Sequence, residues 1–294
     1  MVTVFAPAKI NLYLEVVGRR PDGYHLLDSL VVFADIGDRI ELASADQLSL
    51  SLTGPFGEAL AVEPDNLVLR AAQLLAEATA RPPSVSIRLE KRLPLASGIG
   101  GGSADAAATL RGLGRLWKVE LSPAQLASIA LRLGADVPAC LLSMPLRMEG
   151  IGELITPAAG LPPLGILLVN PQRPVPTGQV FRHPALKFSP ARPFAPPVRD
   201  RDALVRFLLE RRNDLEAPAR DIEPAVGEAL DELARLDGVL LARMSGSGAT
   251  CFGLFASREA AAAGARSLCA SRADWWLAAG RVLDEKDECL RVVD

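Results

Sequence analysis

A chain of 294 residues, 49% hydrophobic and 23% charged, is globular rather than disordered and long enough for two cores of ordinary domain size. Its net charge of −3 gives no basic field to attract nucleic acid or an anionic membrane, and no apolar run approaches membrane-spanning length. Two histidines exclude a multi-histidine metal site, while four scattered cysteines (Cys140, Cys251, Cys269, Cys289) and no basic-then-apolar leader point to a reducing, cytoplasmic setting.

Val2 to Val17 reads as a strand, with Lys9, Asn11, Tyr13 and Glu15 on one face and Ile10, Leu12, Leu14 and Val16 on the other. G-R-R-P-D-G over Gly18 to Gly23 is a turn, and Leu26 to Phe33, Arg39 to Ala43 and Gln47 to Leu52 read as strands. Asp65 is a candidate N-cap for a helix from Asn66 to about Ala80. Ser84 to Leu89 is strand-like and leads through Lys91 into P-L-A-S-G-I-G-G-G-S-A, Pro94 to Ala104. A helix follows from Ser103 to about Trp117, and another from Ser122-Pro123 to Gly134. Further on come a strand at Leu164 to Val169, proline-rich loops from Pro171 to Pro197 around one helical turn at Gln179 to Phe181, and helices at Arg199 to Arg212 and Pro224 to Leu236. Strands at Leu240 to Met244 and Thr250 to Phe255, a helix from Arg258 to Cys269 and a last strand near Arg281 to Leu283 complete the chain. The early strands meander and the later ones alternate with helices, so the class is α+β, divided near residue 150 into domains 1–150 and 151–294.

Four places hold polar residues that folding alone does not demand. The first is the glycine loop, where a strand, four glycines and a fresh helix start together make an anion cradle. It could equally be a long turn with Ser103 as N-cap, and it lacks a Walker ending and a dinucleotide-type acidic residue downstream. The second is the pair Lys9 and Asn11, although a lysine on a strand face is usually solvated. The third is G-A-D-V-P at Gly134 to Pro138, where Asp136 could simply cap a short helix. The fourth is S-G-S-G-A, Ser245 to Ala249, either a tight turn or a second backbone nest for anions.

In combination and order, P-A-K-I-N-L, P-L-A-S-G-I-G-G-G-S-A, G-A-D-V-P and M-S-G-S-G-A-T resemble the GHMP kinase family, named for galactokinase, homoserine, mevalonate and phosphomevalonate kinases. K-I-N-L-Y-L followed by R-P-D-G-Y-H-L-L-D-S-L, with the three-glycine run, is similar to the branch that phosphorylates a cytidine diphosphate-linked methylerythritol in non-mevalonate isoprenoid synthesis. The resemblance spans nearly the whole chain and is weakest from Phe188 to Ala219. It implies an N-terminal domain like ribosomal protein S5, a ferredoxin-like C-terminal domain, and ATP with Mg²⁺.

The resemblance also implies roles. Asp136 would take the proton of the attacking hydroxyl, and Lys9 would orient that oxygen and offset its charge. Pro94, Leu95, Ala96, Ser97, Gly98, Ile99, Gly100, Gly101, Gly102, Ser103 and Ala104 would wrap the triphosphate, with Ser97 adding a hydroxyl to the phosphate shell. Asn66 and Lys91 match the adenosine side; a first-turn helix residue and a solvated lysine are the plain alternatives. Tyr24, His25 and Phe181 would hold the cytosine, though they also read as a turn flank, a loop histidine and a core residue. Asn11 and Thr177 would bond the substrate. The metal would be held by phosphate and water, with no protein ligand. His183 has no implied role, and R-H-P-A-L-K-F-S-P-A-R-P-F reads as a surface loop. A GHMP kinase for another small alcohol, which would need no aromatic sandwich, and a catalytically silent nucleotide-binding module are the competing readings. Oligomeric state is not legible.

Overall fold

The computed structural model describes residues 1–61, 65–158, 160–194, 200–284 and 287. Val2–Arg19 (β1) and His25–Ser44 (β2) form a long antiparallel hairpin. Its turn is closed by Gly23, at φ 94°, whose N–H donates to the Arg20 carbonyl at 2.9 Å. The sequence suggests a break before Arg39, yet β2 runs through it. Gly37 permits this, because any side chain there would strike the backbone of Ala6 on β1.

Ser49–Thr53 (β3) lies parallel to Val85–Glu90 (β4), and Gly57–Ala61 (α1) and Leu67–Ala78 (α2) belong to the crossover between them. Gly101–Trp117 (α3) follows the glycine loop. Pro123–Leu133 (α4) starts at a reciprocal Ser122–Gln125 cap, and Val137–Leu142 (α5) follows. Leu146–Gly150 (β5) and Leu154–Pro157 (β6) complete the first sheet in the order β3-β4-β2-β5-β6, with β1 paired to β2. These last two strands are too short and too interrupted by glycine to be legible from sequence.

Gly165–Asn170 (β7), Thr177–Arg182 (α6), Arg201–Leu209 (α7), Glu216–Ile222 (α8) and Ala225–Ala234 (α9) lead to Val239–Met244 (β8). Cys251–Phe255 (β9), Arg258–Cys269 (α10) and Trp276–Arg281 (β10) follow. The second sheet is antiparallel in the order β10-β7-β9-β8, which with its helices gives the ferredoxin-like strand–helix–strand–strand–helix–strand pattern. The last strand lies upstream of the one expected near 281–283, because pairing with β7 selects Trp276–Arg281. Val282 and Leu283 instead tie the sheets together, donating to the carbonyls of Leu164 and Phe33. The start of the helix expected from Arg199 lies outside the described residues.

The fold class is α+β, with two sheets and their covering helices. Between the sheets runs a shared core: Ile10, Leu12 and Val32 of the first meet Ile166, Leu168, Phe252 and Leu254 of the second. Across it the buried Arg243 guanidinium donates to the carbonyls of Leu12, Leu208 and Arg211 at 2.7 to 2.9 Å. The segment that carries Lys9 is thereby fixed from both sides.

Candidate active site

A cavity of ≈ 700 Å³ opens where β1, the glycine loop, α6 and the β8–β9 turn converge. Its size is ordinary for a small-molecule site. Lys9 and Asn11 line it from β1, and both are buried, which removes the solvated-lysine alternative. The expected face does not continue. A register shift between Asn11 and Tyr13 sends Tyr13 and Glu15 to the other side, where Tyr13 donates to Asp28 at 2.8 Å and Glu15 pairs with Arg211 at 3.0 Å. Burial and the Asp28 carboxylate hold the Tyr13 phenol far above its ordinary pKa, so it stays a donor. Leu14 joins the cavity wall instead.

The glycine loop is tied down by backbone bonds. Lys9 N–H donates to Ile99 O at 2.9 Å, and Thr250 N–H to Ser97 O at 3.1 Å. Gly98 has φ 76°, and a Cβ there would lie 2.5 Å from the Ser245 carbonyl oxygen. The helix begins earlier than Ser103: Gly100, left-handed at φ 63°, is the N-cap. Ala104 N–H is the first to find an acceptor within the helix, Gly100 O at 2.8 Å, so the amides of Gly101, Gly102 and Ser103 are the donors a helix start offers an anion.

Of the expected loop residues, Pro94, Leu95, Ala96, Ser97, Gly98, Gly100, Gly101, Gly102 and Ser103 line the cavity. Ile99 and Ala104 are packed into the cores instead. The Ser97 hydroxyl donates to the Pro94 carbonyl at 2.7 Å, which turns it into a loop brace in place of the phosphate donor suggested by sequence.

Opposite the loop, Asp136 sits at the N-cap position of α5 but makes no capping bond. Its Oδ2 lies 3.0 Å from Lys9 Nζ, with Asp136 partly open to the cavity and Lys9 buried. Lys9 Nζ reaches Asn11 Oδ1 at 3.5 Å, the outer limit of a hydrogen bond, and Asn11 donates to Ser29 at 2.8 Å. A buried ammonium, an accessible carboxylate and a fixed amide thus converge beside the helix start.

At the other end stand Tyr24, His25, Thr177 and Phe181. His25 and Phe181 lie with ring centroids 5.1 Å apart, while Tyr24 is exposed. Burial, then Arg19, lowers the His25 pKa, leaving a neutral ring with one donor and one acceptor at pH 7. Thr177 shares a 2.8 Å hydrogen bond with Ser247 of the S-G-S-G-A turn, which itself lines the cavity. The proline-rich segment is more than a surface loop: Phe188 sets its edge on His25 at 5.8 Å, and Ser189 N–H donates to Val16 O at 2.8 Å. Residues 195–197 of that segment lie outside the described residues. His183 accepts from Ala185 N–H at 3.2 Å, a local structural role.

On the third side, Asn66 caps α2, accepting from Val68 N–H at 2.9 Å, where Asp65 was expected to do so. Asn66 also lines the cavity. Lys91 is buried, with Nζ 2.6 Å from both Asp38 Oδ2 and Asp105 Oδ2. Burial opposes its charge, but the two carboxylates outweigh burial and raise its pKa. Asp105, missed in the sequence, is raised to about 8, by burial first and in part by Asp38, although Lys91 opposes the shift. Its signal was a lone acid inside the alanine run A-D-A-A-A. Among the described residues no three His, Cys, Asp or Glu side chains come together as a metal site.

Two family descriptions match the chain: the N-terminal domain of GHMP kinases over residues 66–144 and the GHMP kinase C-terminal domain over 199–274. Cavity, loop and matches together place the chain in the GHMP kinase family. A protein of Paramagnetospirillum magneticum named 4-diphosphocytidyl-2-C-methyl-D-erythritol kinase is 53% identical over 96% of this chain and 98% of its own length. One of the same name from Rhodospirillum rubrum is 51% identical over 95% and 92%. A crystal structure of 4-(cytidine 5'-diphospho)-2C-methyl-D-erythritol kinase superposes with TM-score 0.78 at 36% identity, covering 95% of this chain and 98% of that one. Homoserine kinase from Cytophaga hutchinsonii shares the fold, with TM-score 0.65 at 19% identity.

Proposed function

We propose that the chain transfers the terminal phosphoryl group of ATP to the 2-hydroxyl of 4-diphosphocytidyl-2-C-methyl-D-erythritol, giving the 2-phosphate and ADP in non-mevalonate isoprenoid precursor synthesis. The observation that carries the mechanism is the 3.0 Å approach of Lys9 Nζ to Asp136 Oδ2 at the wall of a cavity that also holds the helix start of α3. An alcohol is a weak nucleophile, and a positioned base contributes roughly 10²- to 10⁴-fold. Asp136 accepts the hydroxyl proton as the oxygen attacks phosphorus, and the Lys9 ammonium offsets charge on that oxygen. The amides of Gly101, Gly102 and Ser103 hold the phosphate oxygens in line.

Mg²⁺ would arrive with the nucleotide and supply charge neutralisation at the phosphate oxygens. The free amides at the start of α3 fit the phosphates, and the metal would be held through those phosphates and water. The cytidine end is supported by Tyr24, His25 and Phe181, because an aliphatic substrate such as homoserine or mevalonate needs no aromatic wall. Asn11 and Thr177 supply substrate hydrogen bonds, and Asn66 and Lys91 face the adenosine.

The division into domains 1–150 and 151–294 belongs to the same reading, the two sheets supporting it although 154–157 pair with the first. So does a cytoplasmic setting: ATP is available there, and Cys140, Cys251 and Cys269 are free thiols. No described helix is long and apolar enough to cross a membrane. The test is incubation with ATP, Mg²⁺ and a panel of alcohols. ADP release with the diphosphocytidyl erythritol, and none with homoserine or mevalonate, is expected. Consumption of either small alcohol in its place overturns the substrate.

A further inference from the structure

The Lys91, Asp38 and Asp105 cluster is buried under a cradle built for a polyanion, and fully ionised it would carry a net charge of −1. Such a charge beside the phosphates would oppose binding, so one carboxyl holds a proton. Asp38 is poorly suited to do so. It accepts from Lys91 Nζ at 2.6 Å, Arg92 N–H at 2.6 Å and Leu93 N–H at 2.9 Å, three donors that favour the carboxylate. Asp105 has Lys91 as its one donor and shares a further side-chain hydrogen bond with Asp38, while its Oδ1 is buried with no hydrogen-bond partner. An orphan of that kind is costly unless a ligand completes it.

Position says which part of a ligand does so. Asp105 follows Gly101 by four residues, on the same face of α3 and just over one turn, about 6 Å, further along it. It lines the cavity, whose nearby wall from Leu60, Leu67, Val68 and Leu89 is apolar and suits a flat base. We propose that Asp105, as a neutral carboxyl, donates a hydrogen bond through Oδ1 to an acceptor atom on the adenosine part of ATP. The assignment rests on the reading of this cavity as an ATP site. The other titratable groups around Asp105 are Lys91 and Asp38, the Cys140 thiol of α5, which burial pushes up to about 12, and the Lys9–Asp136 pair across the cavity.

Calorimetric titration of the whole protein with Mg²⁺ and ATP, without any acceptor alcohol, tests this. Asp105→Leu should weaken ATP about tenfold or more, the cost of leaving a bond to one buried group unmade. Asp105→Asn keeps a neutral donor and should recover most of that loss. Raising the pH from 7 to 9 crosses the ionisation of Asp105 near 8, so wild-type affinity should fall while the Asn variant shows no matching fall. Wild-type affinity in the Leu variant, or identical pH profiles for wild type and Asn, would overturn the proposal. If the Leu variant does not fold, the comparison of the two pH profiles decides alone. A wild-type protein that takes up no ATP would overturn the cavity reading as well, whereas uptake indifferent to Asp105 overturns this inference only.

Discussion

The Asn11 backbone N–H donates to the Ser245 hydroxyl at 3.2 Å, joining two residues 234 positions apart, and the same hydroxyl donates to Gly98 O at 3.1 Å. One buried oxygen therefore holds the strand of Lys9, the glycine loop and the S-G-S-G-A turn in register. Ser245→Ala would strand the Asn11 amide, a loss of roughly 1–3 kcal/mol. Urea unfolding should register that loss, and KM should rise for ATP and for the alcohol together. A rise for only one of the two would mean the hydroxyl does not couple the loop to β1.

Phe181→Ala removes a ring that stands 5.1 Å from His25 on the cavity wall. Stacking on an aromatic side chain contributes roughly 1–3 kcal/mol per base, so KM for the cytidyl substrate should rise about tenfold or more. KM for ATP should stay within about twofold. Equal rises in both would remove Phe181 from the base pocket.

Asp105 also writes itself into stability. The folded protein keeps the Asp105 proton up to about 8, against an ordinary 3.8, so between those values it binds more protons than the unfolded chain. Stability from this group therefore falls as pH rises through that window and levels off above about 8. The advantage of Asp105→Asn over wild type in urea midpoint should grow from pH 5 to pH 8. A difference that does not change with pH would show that Asp105 is ionised throughout.

Much of this was legible in the residues, and the gaps have physical causes. The β1 pair Lys9 and Asn11, the glycine loop and the α10 span were readable because each is local: an alternation, a run of glycines, a capped amphipathic stretch. The departure of Tyr13 from the Lys9 face was not, because a bulge is set by pairing with β2. The short strands β5 and β6 exist only through their neighbours. The Asp105 partnership needed Asp38 and Lys91 from distant positions, and the docking of Phe188 on His25 needed the fold to bring a proline-rich segment back to the cavity. The switch of capping from Asp65 to Asn66 is a one-residue choice that propensity does not separate.

The central claim is that Asp136, held 3.0 Å from Lys9, is the base. Its most direct test is turnover of Asp136→Asn with saturating diphosphocytidyl erythritol, alongside its ATP affinity. The account predicts that kcat falls roughly 10²- to 10⁴-fold while ATP binds within about threefold of wild type, because the substitution removes the base and leaves the glycine loop intact. A variant that keeps more than about a tenth of wild-type kcat would contradict it.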